Sequence, residues 1–376
     1  MSENNNSAFQ TIHLIYACNL SYLPYTYVSI LSVLKNKNEA TRIHFHLICN
    51  QNIPKSQLER VIGLVHKYSY AEFDYIYIDP AQIDFPISIN HISVDTYSRL
   101  LIPQLFPNLD KCIYLDGDTL ILQDLTNYYN TDLDDNLIAG VIAPTSYLNL
   151  KKGNSLQKTS PYPEKFVNAG VIIMNLKLIR KQQIDKKFLQ LAKEGYGWQD
   201  QQVINIACDP HIKLLPLKYN LQSVHVDNHM HASEDAKAVF KQNEIREAIT
   251  RPVIIHFANK QKPWNNLEIS YAVDWWQYAR LSPFYERFML NLREEYTNAK
   301  IDSVAAPDNK DELSSSTQTA TKSDHPNKIK IIAKRILAKI SINYRYQNYI
   351  LDLGKKIYQQ NLQIIKEIEK LKDNHN

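Results

Sequence analysis

Lys111-Cys112-Ile113-Tyr114-Leu115-Asp116-Gly117-Asp118-Thr119 is a short apolar run that leads straight into an acidic turn. Four apolar residues, Cys112–Leu115, are enough for a buried strand. Gly117 permits a sharp change of direction at its end. The segments on either side decide what kind of sheet receives this strand. Upstream, Thr11–Cys18, residues 43–49 and residues 73–78 read as strands. Between them, Tyr27, Ile30, Leu31 and Leu34 repeat at i, i+3, i+4, i+7, as do Leu58, Val61, Ile62 and Val65 after Pro54. A helix through residues 97–105, closed by Pro107, precedes the quoted stretch. Downstream, residues 137–143, 171–175, 212–217 and 253–257 are further strands. Strands alternating with amphipathic helices predict an α/β fold with a mostly parallel central sheet. Ligands of such sheets bind beyond the carboxyl ends of the strands, where Asp116 stands.

Composition narrows the function. Glycine occurs only eight times in 376 residues, which argues against a glycine-rich phosphate loop. Cys18, Cys49, Cys112 and Cys208 are widely spaced in apolar stretches with no Cys-x-x-Cys pair, so neither a zinc ribbon nor a disulfide framework is expected. The start of the chain lacks a signal-peptide pattern, and no apolar run approaches the roughly 20 residues of a membrane span. A cytoplasmic protein is the expectation. Residues 303–326 are polar and read as a linker. From residue 327 onward, eleven lysines and arginines face four acidic residues, so this tail is basic and the body, under a net charge of +4, is mildly acidic. Ile329, Ile332, Ala333, Ile336, Leu337 and Ile340 give the tail one apolar helical face. A basic amphipathic helix suits an anionic membrane surface, here the inner face of the cytoplasmic membrane. A helix docked on the body fits the same pattern. The division expected is a catalytic domain over residues 1–300, a linker over 301–326 and a helical tail over 327–376.

Three groups of residues bear on chemistry. Asp116 and Asp118, two apart at a strand end, suit a hard divalent cation that also coordinates phosphate oxygens. Read alone they are equally an acidic turn. A haloacid-dehalogenase-type phosphatase also follows an apolar strand with two aspartates, but it needs one residue between the second Asp and a Thr, whereas Thr119 directly follows Asp118. His256 ends the apolar run Val253-Ile-Ile and is followed by Lys262-Pro263-Trp264, a ligand and a phosphate-binding cation. A lone strand-end histidine is more often structural. Asn168 enters a strand before Ala169-Gly170, and Asp200 and Gln201 begin a helix, where Asp200 could simply be a cap.

The order of these segments carries more than any one of them. Thr96-Tyr-Ser-Arg99, Lys111 through Asp118, Phe166-Val-Asn168-Ala-Gly-Val, Trp198-Gln-Asp200-Gln201 and His256 through Trp264 together resemble glycosyltransferase family 8, over about residues 10–280. The resemblance implies a single Rossmann-like, GT-A-type nucleotide-sugar transferase domain. It implies that Asp116, Asp118 and His256 bind Mn²⁺, with Mg²⁺ the alternative. Arg99 and Lys262 would neutralise the donor diphosphate, and Ala17, Asn19 and Ser21 would line the uridine pocket. Gly117, Asn168, Ala169, Asp200 and Gln201 would contact the donor, with Asp200 and Gln201 the candidate catalytic residues, although an amide is a poor nucleophile and attack from the leaving-group face fits better. Two positions depart from the family pattern. Asn19 replaces an Asp, and Asn259 stands where His-x-x-Gly-x-x-Lys-Pro-Trp has Gly.

The implied function is transfer of glucose or galactose from a UDP-sugar to a glycan or glycolipid acceptor, with retention of configuration, as in bacterial cell-surface polysaccharide synthesis. No nucleic-acid partner is expected. A sugar-nucleotide-binding protein that has lost transfer activity is the reading from a different class.

Overall fold

The computed structural model of the chain describes residues 10–50, 53–78, 98–152, 165–193 and 200–294. Two compact units divide it, Met1–Leu290 and Asn291–Asn376, and the elements below all belong to the first. The linker and tail, residues 301–376, lie outside the described residues.

The amino-terminal half is built as its periodicity requires. Strand β1 (Thr11–Cys18) is followed by helix α1 (Leu23–Asn36), strand β2 (Arg42–Asn50), helix α2 (Lys55–Val65) and strand β3 (Ala71–Ile78). Both parallel pairings, β1 with β2 and β2 with β3, run in unbroken register. Alternation gives β1 two different faces. Tyr16 bonds Ser29 of α1 through its hydroxyl at 3.0 Å, so Ile12, Leu14 and Tyr16 lie under that helix. Ile15, on the opposite face, joins a second core with Ile48, Leu100, Phe106, Tyr114 and Ile172. Each such fully buried aliphatic side chain contributes about 1.5–3 kcal/mol through removal from water. Pro54 caps α2 without a side-chain bond, as its fixed φ allows.

Strand β4 (Cys112–Leu115) pairs parallel with β1, Leu14 opposite Ile113. Three more strands complete the sheet: β6 (Ile138–Ile142), β7 (Val167–Met174) and β8 (Ile212–Leu214), in the order β3-β2-β1-β4-β7-β6-β8. Four of the six pairings are parallel; β7 runs against both of its neighbours, β4 and β6. A separate three-stranded sheet joins β5 (Thr119–Ile121), β10 (Ile254–His256) and β9 (Leu221–Gln222).

Local chemistry accounts for two differences from the expected elements. The strand expected over residues 212–217 stops at Leu214, because Pro216 lacks the N–H that a ladder needs, and a 3₁₀ turn at Leu217–Tyr219 follows. The helix expected over residues 97–105 is a 3₁₀ turn at Ser98–Leu101 running into Ile102–Leu105. Pro103 sits in its first turn, where no N–H is required. All four cysteines are buried. Among the described residues no helix is long and apolar enough to cross a membrane.

Candidate active site

The acidic turn lies where the two sheets meet. Asp116 follows β4 of the large sheet, and Asp118 precedes β5 of the small one. Between them the chain makes a β-turn, with Thr119 N–H donating to the Asp116 carbonyl at 3.2 Å and the Thr119 hydroxyl to the same oxygen at 2.9 Å. The turn is pressed against α1. A Cβ on Gly117 would come within 2.3 Å of Thr26 Oγ1, so the close approach requires glycine.

Strand register then delivers the histidine. His256 pairs with Thr119 across the β5–β10 ladder, and Phe257 N–H donates to the Asp118 carbonyl at 3.0 Å. This holds His256 Nε2 3.4 Å from Asp118 Oδ1 and 3.6 Å from Asp116 Oδ2. One ligand atom from each of the three residues lies within 4.8 Å of the others. The floor beneath them is Gly170, whose carbonyl takes the Asp116 N–H at 2.7 Å.

Several features fit a divalent cation at this point. Asp118 Oδ1 is buried with no well-formed hydrogen bond, only the His256 ring 3.4 Å away, and a cation at this point would satisfy it. His256 Nδ1 is 3.2 Å from Asn220 Oδ1, so with a proton held on Nδ1 it is Nε2 that faces the carboxylates and would give up its proton to a bound cation. Two carboxylates and one imidazole suit Mn²⁺ or Mg²⁺. Burial alone would lower the His256 pKa, but Asp118 and Asp116 outweigh it and hold it up to about 9. Burial likewise opposes ionisation of Asp116 and Asp118. Arg99 and His256 overcome it at the first, His256 and Lys262 at the second, and both stay below the usual carboxylate range.

Arg99 occupies a place its sequence role did not anticipate. Its Nη2 donates to Asp116 Oδ1 at 2.8 Å, its Nη1 to the Ala169 carbonyl at 3.0 Å, and its Nε pairs with Asp200 Oδ2 at 2.5 Å. The guanidinium also lies 4.6 Å from the centre of the Tyr114 ring, and the Tyr114 hydroxyl donates to Asp116 Oδ1 at 2.9 Å. Arg99 therefore ties two acidic residues together inside the protein. Burial raises the pKa of Asp200 despite Arg99.

Lys262 Nζ contacts Asp118 Oδ2 and the Phe257 carbonyl, both at 2.5 Å. Trp264 holds this segment in place by stacking on Tyr25 of α1, with ring centres 3.8 Å apart. Pro263 accepts the indole N–H of Trp276 at 2.7 Å. Asn259 is exposed and is not among the described residues with left-handed backbone, so its loop does not demand glycine there.

Asn168 on β7, Gln201 in helix α3 (Asp200–Cys208) and Asn220 form one polar chain. Gln201 Oε1 accepts from Asn168 Nδ2 at 3.0 Å and from Ala169 N–H at 3.1 Å. Asn168 Oδ1 accepts from Asn220 Nδ2 at 3.0 Å, and Asn220 continues the chain to His256. Ala17 and Asn19, half-buried, and exposed Ser21 lie at the carboxyl end of β1 and just beyond it. Asn19 Oδ1 accepts from the N–H groups of Ser21 and Tyr22, each at 3.0 Å, and so fixes the turn that leads into α1. Tyr22 would lie 3.5 Å from a Cβ on Gly117, which sets this group beside the acidic turn.

The structure thus gathers Asp116, Asp118, His256, Lys262, Arg99, Asn168, Ala169, Asp200 and Gln201 around one point. Sequence reasoning missed Asn220, Tyr114 and the role of Gly170 as a floor. Asn220 follows a 3₁₀ turn with no motif around it, and only the pairing of β9 with β10 brings it to His256.

Comparison with known proteins accords with this geometry. The family profile described as Glycosyl transferase family 8 matches residues 13–268. The lipopolysaccharide 1,2-glucosyltransferase of Escherichia coli is 26% identical over 286 residues, covering 73% of this chain and 77% of that protein. Among solved structures, the apo bifunctional glycosyltransferase WbbM superposes with a TM-score of 0.67 at 22% identity, over 76% of this chain and 52% of its own. The galactosyltransferase LgtC, solved with donor and acceptor sugar analogs, gives a TM-score of 0.59 at 22% identity, over 72% of this chain and 96% of its own.

Proposed function

The chain belongs to glycosyltransferase family 8, and from that membership we propose that it is a retaining hexosyltransferase that uses a UDP-sugar. The donated hexose is glucose or galactose, since relatives named for each resemble the chain. The acceptor is a glycan or glycolipid. The observation that carries the reading is the meeting of Asp116, Asp118 and His256 at the junction of two sheets, beyond the carboxyl end of β4.

Transfer breaks the bond between the sugar C1 and the diphosphate, leaving negative charge on UDP. A divalent cation, Mn²⁺ by the reading of the donor set, would be held by Asp116, Asp118 and His256 and supply Lewis-acid stabilisation of that charge. Lys262 brings an ammonium to the same point and can exchange its contact with Asp118 for a phosphate oxygen. Arg99 holds Asp116 and Asp200 in position. Asn168, fixed on both sides by Gln201 and Asn220, presents its amide where the sugar would lie.

Retention usually implies a covalent carboxylate intermediate. Asp200 is a poor candidate for the nucleophile, because it is buried and its Oδ2 is paired with Arg99. Gln201 is an amide whose carbonyl already accepts two N–H groups. Both facts favour attack from the side the diphosphate leaves, with the departing phosphate oxygen taking the acceptor's proton. Contact of the tail, residues 327–376, with an anionic membrane remains a proposal from sequence.

The deciding experiment is transfer or hydrolysis with a panel of UDP-sugars, with and without Mn²⁺, on the wild-type chain and D118N. Turnover of a UDP-hexose that needs the metal and is lost in D118N is expected. Turnover that survives excess chelator would refute the metal site, and binding of UDP-sugar without turnover would favour the inactive binding protein.

A further inference from the structure

A second cluster of metal-ligating side chains stands on the large sheet, away from the acidic turn. His13 of β1 is opposite His44 of β2, and His44 is opposite Glu72 of β3. His46 lies two residues beyond His44 and opposite Asp74. The period of two along a strand places His13, His44, His46 and Asp74 on one face. This is the face opposite α1. Register sets His13, one residue before Leu14, level with the start of β4, whereas Asp116 follows the end of that strand.

His46 Nδ1 lies 2.8 Å from Asp74 Oδ1, and His46 Nε2 lies 3.0 Å from His13 Nδ1. His44 packs against His46 with ring centres 4.1 Å apart. One ligand nitrogen from each of the three rings lies within 4.8 Å of the others.

We propose that His13, His44 and His46 bind a Zn²⁺-class divalent ion that clips strands β1 and β2 together, with Asp74 of β3 orienting the His46 ring. The donor chemistry separates this site from the catalytic one. Three imidazoles favour Zn²⁺, Ni²⁺ or Cu²⁺, whereas two carboxylates and one imidazole suit Mn²⁺ or Mg²⁺. Asp74 supplies the carboxylate–histidine arrangement common behind zinc-bound histidines. With the His46 proton on Nδ1 toward Asp74, the Nε2 lone pair points at His13. Two nitrogens about 2.0 Å from a tetrahedral Zn²⁺ are separated by roughly 3.3 Å, close to the His13–His46 spacing. His44 Nε2 lies 2.9 Å from Asp74 Oδ2, so closing the remaining spread requires this ring, 23% exposed against 5% for His46, to exchange that contact for the ion.

The test uses the full chain carrying D118N and H256Q, which removes the acidic-turn cluster as a competing ligand set. Calorimetric titration with Zn²⁺, and Co²⁺ absorption as a coordination signature, should give one ion per chain. H13Q or H44Q should weaken Zn²⁺ binding at least about tenfold, and D74N by about 10–100-fold. Exposed His229 and His231 provide the control, since H229Q with H231Q should leave the affinity unchanged. If H46N does not fold, H44Q at the exposed ring carries the comparison, with circular dichroism confirming its fold. H13Q alone should retain transfer activity, and in the D118N/H256Q chain it should remove the rise in Tm that Zn²⁺ produces. The absence of Zn²⁺ binding in the D118N/H256Q chain would overturn the proposal and leave a hydrogen-bonded histidine chain. Binding unchanged by both H13Q and H44Q would overturn it equally.

Discussion

Gly170 lies so close beneath Asp116 that a Cβ on it would stand 2.3 Å from Asp116 Oδ2, and 2.4 Å from His256 Cε1. Both contacts are shorter than real carbon atoms tolerate, and both involve proposed ligands. The cause is strand pairing. Leu115 is opposite Val171, so Gly170 is the next neighbour of Asp116 across the β4–β7 ladder. The absent side chain leaves the space in which the ligand atoms converge.

G170A should therefore damage the site more than the fold. Overpacking of this kind costs about 1–3 kcal/mol of stability, whereas displacing a ligand by about 1 Å can cost roughly 100-fold in rate. Transfer assays beside urea unfolding would separate the two effects. A variant with native kcat would show that the floor can yield.

Asn220 should matter to metal affinity although it is not a proposed ligand. Its Oδ1 faces His256 Nδ1 and its Nδ2 bonds Asn168, so it orients both. Loss of such a partner typically weakens metal binding by about 10–100-fold. N220A should raise the Mn²⁺ concentration needed for half-maximal transfer by that factor, with most kcat restored at saturating metal. An unchanged metal requirement would count against this role.

Arg99 links buried Asp200 to half-buried Asp116, so its removal should be felt mainly as instability. Breaking a buried ion pair on one side costs about 3–5 kcal/mol, because the partner charge stays behind unpaired. R99M should show a loss of that order in chemical denaturation. R99M combined with D200N should recover part of it, since one of the orphaned charges is then gone. If Arg99 mainly served the donor phosphates, R99M would instead raise the donor KM with stability intact.

Asp124 should contribute to the acid sensitivity of the fold. Burial would raise its pKa, but bonds from Thr126, Asn38 and Thr41 outweigh it and hold the carboxyl below its usual value. A depressed folded-state pKa gives stability that is present above the unfolded value of about 3.9 and lost as the pH falls through the folded one. D124N should lower stability by about 1 kcal/mol at pH 7 and by less below pH 4, flattening the acid limb. Parallel Tm–pH curves for wild type and variant would contradict this.

Much of the scaffold was legible because it rests on short-range periodicity. Strands β1 and β4 have the bounds read from the chain, and Leu58, Val61 and Val65 of α2 are buried as their spacing predicts, whereas α1 is buried on nearly all sides from Leu23 to Leu34. The Asp116–Asp118 turn was equally visible, since a glycine between two acids at a strand end is a local pattern. His256 and Lys262 were found through the order of segments, not through anything in their surroundings. Arg99 was visible as a cation, but its partners were not. Nothing along the chain near residue 99 indicates Asp200, a hundred positions away, as one end of its ion pair.

By itself, then, the sequence determined the alternating elements, the acidic turn and the membership of a family, because each depends on residue spacing or on segment order. Tertiary structure alone decided that Gly117 is the crossing point between two sheets, that Gly170 lies under the ligands, that Asn220 orients His256, and that His13, His44 and His46 share one face. These relations come from the register of strands distant in the chain. Register is set by the combined packing of whole faces against α1 and the central core, a property that no local stretch carries.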